Sequence, residues 1–93
     1  MNKYEMIYIL ESALSDEAKD QLVEKIDGVI TKNGGVVEKT EKWGVKKLAY
    51  PIDYKTEGYY VLMTFECDAT LVQEMKRVVG ITEHVMRRLI TKR

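Results

Sequence analysis

The chain has 93 residues, with 45% hydrophobic and 32% charged content. This describes one globular domain over 1–93, able to bury roughly 60–65% of its unfolded surface around a single core. Fifteen basic residues balance fifteen acidic ones, which counts against a generic polyanion binder. A lone cysteine, Cys67, excludes an intrachain disulfide and fits a reducing compartment. The apolar run at 6–10 is too short for a signal-peptide core or a membrane span, so the expected location is the cytosol with no membrane partner.

Residues 3–10 (KYEMIYIL) are rich in β-branched and aromatic side chains and predict a buried central strand. Ser15 is a good N-cap, with Asp16 and Glu17 favourable in the first turn. Ala18, Leu22, Ile26 and Val29 then recur at helical spacing, widened by Val23 and Ile30, which predicts an amphipathic helix. Asn33, Gly34 and Gly35 end it. Residues 36–50 are extended and highly charged, but their apolar positions hold no single alternating phase. Fifteen residues would span roughly 50 Å as one straight strand, so a bent or interrupted strand is expected, with Gly44 marking a bulge. Tyr50 and Pro51 open a connection through Asp53, Lys55 and Gly58. Residues 59–67 predict the next strand, with Tyr59, Val61, Met63 and Phe65 on one face. Asp68 caps a second helix carrying Leu71, Met75, Val78 and Val79, and Gly80 stops it. Residues 81–92 predict the last strand.

The order β-α-β-β-α-β, with right-handed crossovers, favours an α+β fold: a ferredoxin-like split β-α-β sandwich with a four-stranded antiparallel sheet and two helices on one face. Its usual strand order, 2-3-1-4, makes the second and fourth strands the edges. Those strands carry most of the cations. Residues 76–93 hold Lys76, Arg77, Arg87, Arg88, Lys92 and Arg93 against Glu83, and residues 36–50 hold Lys39, Lys42, Lys46 and Lys47 against Glu38 and Glu41. Residues 11–30 carry six acidic residues against Lys19 and Lys25. The molecule is expected to be bipolar, with a positive side that can neutralise phosphates despite the zero sum.

Catalytic chemistry finds few candidates. His84 is the only histidine and reads as a surface group, and Cys67 reads as a structural thiol. One Cys and one His do not make zinc-ligand spacing. Gly34-Gly35 follows a helix and lacks the Lys-Ser/Thr ending of a phosphate loop. No enzyme activity, cofactor, metal or small-molecule substrate is expected. Small enzymes such as acylphosphatases share the order of elements, but no arginine lies near the first strand to hold an acyl phosphate. A ligand-binding regulatory homodimer of this shape is a further alternative, although the chain has no enzyme domain to regulate. For RNA, aromatic residues interleave with Lys42, Lys46, Lys47 and Lys55, and rings can stack on bases while cations take phosphates. Tyr4, Tyr8 and Tyr59 read as core. An RNA-recognition motif would need basic-Gly-aromatic-small-aromatic-Val-x-aromatic on the third strand. The stretch from Glu57 to Thr64 keeps only Gly58 and Tyr59 of that pattern.

Three stretches resemble the family of the sixth protein of the bacterial small ribosomal subunit. They are Tyr4-Glu5-Met6 with Tyr8-Ile9; Trp43-Gly44-Val45-Lys46-Lys47-Leu48-Ala49-Tyr50-Pro51-Ile52 with Gly58-Tyr59-Tyr60; and Val85-Met86-Arg87-Arg88-Leu89-Ile90. The Gly-x-basic-basic-Leu-Ala-Tyr core is the most specific part. Asp53 departs from the basic or small residue that many relatives carry there, and the chain ends at Lys92-Arg93 without the acidic tail of some. The resemblance implies a structural, non-catalytic role in the cytoplasmic ribosome. It implies binding to small-subunit ribosomal RNA in the central domain, on the platform, as a heterodimer with ribosomal protein eighteen of the same subunit. On that reading Lys46, Lys47, Arg87, Arg88 and Lys92 are expected to contact the RNA backbone, and Trp43, Leu48 and Tyr50 the partner or the RNA.

Overall fold

A computed structural model describes residues 2–52 and 55–93, without the side chains of residues 49, 50 and 52. Strand β1 (Asn2–Leu10) leads to helix α1 (Asp16–Lys32). Strands β2 (Val36–Ile52) and β3 (Lys55–Cys67) form a long hairpin, and helix α2 (Ala69–Ile81) leads to strand β4 (Val85–Lys92). The four strands form one antiparallel sheet in the order β2-β3-β1-β4. The α+β split β-α-β arrangement expected from the order of elements is therefore the one observed, with β2 and β4 as the edges.

Both helices pack on one face. Tyr4, Met6, Tyr8 and Leu10 of β1 and Val61, Met63, Phe65 and Cys67 of β3 point into it, against Val23, Ile26 and Ile30 of α1 and Leu71, Val72, Met75 and Val79 of α2. Strict alternation on two central strands leaves no other way to bury these residues. The Tyr4 and Phe65 rings stack with centroids 5.8 Å apart. Such aromatic pairs contribute about 0.5–1.5 kcal/mol beyond the area they bury. Truncating a fully buried residue such as Met75 to Ala should cost about 2–5 kcal/mol.

The ends of α1 follow its sequence. Ser15 Oγ accepts from the Ala18 N–H at 3.2 Å, and Asn33 Nδ2 donates to the Val29 carbonyl at 2.6 Å. Gly34 takes φ +84°, the left-handed turn that glycine makes without a Cβ penalty. The buried stripe is centred on Lys19, Val23, Ile26 and Ile30. Ala18, Leu22 and Val29, placed on the core face by spacing, are its half-buried flanks. Lys19 is buried because its stem lies along the core while its ammonium sits 4.7 Å above the Tyr59 ring.

Three boundaries differ from the sequence expectation. β2 and β3 extend through most of the expected connection, leaving residues 53 and 54, outside the described residues, between them. Pro51 lies within β2, which an edge strand tolerates. α2 runs past Gly80 to Ile81, because a glycine inside a helix costs only about 1 kcal/mol. β4 begins at Val85 rather than at 81. Thr82 instead closes the helix, its Oγ1 donating to the Val78 carbonyl at 2.6 Å, and His84 turns the chain at φ 70°. Asp68 occupies the N-cap of α2 but makes no side-chain capping bond. β2 is irregular as expected, with register shifts between Val37 and Lys39 and between Lys42 and Gly44, where Gly44 has φ +86°.

Candidate binding surface

Among the described residues, no element covers the face of the sheet opposite the helices. Strand register builds it in rows. Ile7 of β1 lies between Leu62 of β3 and Leu89 of β4, with Glu41 of β2 beyond Leu62. Ile9 lies between Tyr60 and Arg87, with Gly44 beyond Tyr60. The next position of β3 is Gly58, paired with Lys46. Gly58 has no room for a side chain, since a Cβ would meet Ile9 Cγ2 at 2.2 Å and Leu48 Cδ2 at 3.5 Å. The lack of a Cβ thus lets Leu48 and Ile9 close over the β3 backbone. Leu89 is 61% exposed and Trp43 41%. From Met6 to Leu10 β1 is apolar on both faces, as in strands covered on both sides, whereas Lys3 and Glu5 lie on the open face. The pair of helices covers one of these faces.

Trp43 occupies the bulge of β2. Its indole N–H donates to Glu41 Oε2 at 3.3 Å, and Lys46 Nζ sits 4.9 Å from its ring centroid. Lys39 pairs with Glu41 at 2.6 Å. These two bonds, that of Lys39 first, hold the Glu41 carboxyl below its usual range. Trp43, Leu48 and Lys46 therefore join the open face. Tyr50 lies on β2, but its side chain is outside the described residues.

The expected cations do not form one rim. Lys46 and Arg87 share the open face from opposite edges of the sheet. Lys47, paired with Glu57, and Arg88 and Lys92, paired with Tyr8 and Tyr4, point to the helix side. Arg88 lies across α2, its Nε donating to the Lys76 carbonyl at 3.0 Å and its guanidinium over Gly80. None of Lys46, Lys47 and Lys92 makes an ion pair with a carboxylate among the described residues. Other cations are compensated: Lys42 by Asp20 at 2.6 Å, which raises the lysine's pKa, Arg93 and Lys3 by Glu38, and Arg77 by Glu74. The polarity read from the sequence is thus partly cancelled across α1 and β2. What remains are uncompensated lysines near the hairpin and at the end of β4.

One feature escaped the sequence reading: a surface cluster in which Glu11 binds Lys55 Nζ at 2.5 Å and His84 Nδ1 at 2.7 Å. Its members are 44 and 73 residues apart from Glu11 in sequence, so no local pattern could announce it.

Cys67 is buried, and burial pushes its thiol up, away from the reactive thiolate. Among the described residues no group of three or more His, Cys, Asp or Glu is placed to hold a metal ion. Among the described residues no helix is long and apolar enough to cross a membrane. The chain is a small α+β domain whose open sheet face is apolar around Ile7, Ile9, Leu62 and Leu89 and is bordered by Lys46 and Arg87.

The family model described as Ribosomal protein S6 matches residues 3–92, and the chain belongs to the ribosomal protein S6 family. It is 46% identical over 92 residues to small ribosomal subunit protein bS6 of Fusobacterium nucleatum, covering 99% of this chain and 98% of that protein. With bS6 of Clostridium kluyveri it is 49% identical over 92 residues, covering 99% and 97%. The crystal structure of 30S ribosomal protein S6 from Thermotoga maritima superposes with a TM-score of 0.93 at 29% identity, over 99% of this chain and 87% of that one. The chain is accordingly a structural component of the small ribosomal subunit rather than an enzyme, and its place is the ribosome in the cytoplasm.

Proposed function

We propose that this chain binds small-subunit ribosomal RNA, in the central domain on the platform, jointly with ribosomal protein eighteen as a heterodimer. The open face of the sheet seats apolar side chains of that partner, through Leu89, Ile7, Ile9, Leu62, Leu48 and Trp43. Lys46 and Arg87 contact RNA phosphates beside it, and Lys47 and Lys92 contact phosphates on the helix side of the same two edge strands. Arg88, committed to the α2 carbonyl, adds charge at longer range. Tyr50 joins the partner or RNA surface at the end of β2. The observation that carries this reading is the exposed, apolar Leu89 in a row with Ile7 and Leu62, bordered by cations. A heterodimer explains the zero net charge, since a basic partner supplies part of the field and phosphate contacts fix position.

Substituting Leu89→Glu tests the partner surface, because the side chain is exposed and the core is untouched. Titration of protein eighteen, followed through the fluorescence of the single tryptophan, Trp43, should show affinity falling by at least tenfold, the scale of losing a central apolar anchor. Unchanged affinity would move the partner to another face. Tight binding of short unstructured RNA without protein eighteen would instead favour a stand-alone single-strand reader.

A further inference from the structure

Glu11 follows the last residue of β1 and joins three parts of the fold. Its backbone N–H donates to the His84 carbonyl at 3.0 Å. Its carboxylate takes Lys55 Nζ on one oxygen and His84 Nδ1 on the other. Lys55 opens β3 at the end of the long hairpin, and His84 is the left-handed residue that launches β4. Between Ile9 and Leu10 the β1–β4 register shifts, so regular ladder bonds alone do not fix the start of β4 against β1.

We propose that Glu11 is a positioning residue for RNA binding: it locks the β2–β3 hairpin to the α2–β4 turn and so fixes the spacing between two groups of cations. The first group, Lys46 and Lys47, pairs with Gly58 and Glu57, three and two residues beyond Lys55. The second begins with Arg87, three residues beyond His84. Phosphates on folded RNA have set separations, so two cation groups that hinge independently lose affinity through the freedom they must surrender on binding. The pairing also occupies the Lys55 ammonium, keeping it out of the phosphate contacts. The side chains of Lys55 and His84 are 44% and 45% exposed. Exposed ion pairs add little to global stability, so a contact of this kind acts mainly by fixing geometry. This inference rests on the RNA-binding reading above.

The test is Glu11→Gln in the full chain, with two readouts. The first needs no RNA: amide hydrogen exchange of the free protein should quicken at Glu11, where the β1–turn hydrogen bond lies, and along residues 55–58 and 85–87. The second is affinity for the complex of protein eighteen with a small-subunit RNA fragment, measured over a salt series. Affinity should fall by about fivefold, while the salt slope stays at the wild-type value because no phosphate contact is removed. The charge reversal Glu11→Lys with Lys55→Glu should recover part of the loss. Unchanged exchange overturns the proposal by itself. Unchanged or tighter binding, or an altered slope, also overturns it, since Glu11 would then act through its charge on the RNA. If the wild-type chain fails to bind while exchange quickens in the variant, the lock stands as geometry and the RNA reading is what fails.

Discussion

Single carboxylates set opposite pH dependences in this protein. Asp27 on α1 is partly buried beneath β2, where Thr40 Oγ1 donates to both its oxygens at 3.3 and 3.4 Å. Burial is the larger influence and raises its pKa above the ordinary 3.8. The folded form then holds its proton more tightly than the unfolded chain, so stability falls as pH rises through the window above 3.8. Asp27→Asn should therefore raise stability at neutral pH. The gain should vanish below the ordinary Asp range in urea titrations at a series of pH values. Glu11 behaves inversely. The bonds from Lys55 and then His84 lower its pKa below 4.5, so its contribution is present above that value and is lost as pH falls through the folded one. Asp27 could be placed on α1 from sequence, but not its depth: the polar residue above it comes from a strand 13 residues on, which only the tertiary fold brings near. Lys19 shows the same limit. A lysine reads as solvent-facing until a ring, here Tyr59, is placed beneath its ammonium.

Glycines decide the shape of two strands. At Gly44 the +86° φ places the bulge that turns Trp43 toward the open face. Gly44→Ala should destabilise the protein by about 1–2 kcal/mol, the cost of the left-handed region for an L-residue, with a shift in Trp43 emission. Unchanged emission would mean that the bulge does not set the indole's place. At Gly58 the constraint is space rather than torsion. Gly58→Ala would press on Ile9 and Leu48 and should cost about 1–3 kcal/mol, read as a lower urea midpoint. The bulge at Gly44 was legible because the alternation of β2 breaks there. The space at Gly58 was not, because it depends on a neighbour 49 positions earlier in the chain. Element boundaries erred where a glycine or proline suggested an end: Gly80 sits inside α2, and Pro51 inside an edge strand with no ladder partner on its outer side. Periodicity found each element, while the ends were set by side-chain bonds such as that of Thr82 to the Val78 carbonyl.

Across the whole molecule, topology does what composition cannot. On the proposed reading, a neutral chain binds RNA and a partner by leaving one sheet face uncovered and by placing cations on both edge strands. The order of elements made the split β-α-β fold legible, because the two helical stripes stand apart from the extended segments, even though β2 holds no single alternating phase. The candidate site was legible as a set of residue types but not as an arrangement. Adjacent strand residues such as Arg87 and Arg88 must point to opposite faces, and only the register shows which of them joins Lys46. Charge counts by segment overstated the polarity, since Asp20 reaches Lys42 and Glu38 reaches both Lys3 and Arg93.

The most direct test of RNA contact through this face is the salt dependence of assembly. Equilibrium binding to a small-subunit RNA fragment, with protein eighteen present, would be measured across a salt series for the wild-type chain and for Lys46→Ala with Arg87→Ala. Loss of two phosphate contacts should flatten the plot of log affinity against log salt by about two units. A double variant that binds more weakly with the wild-type slope, or that binds equally well, would contradict the assignment of these two side chains to phosphate.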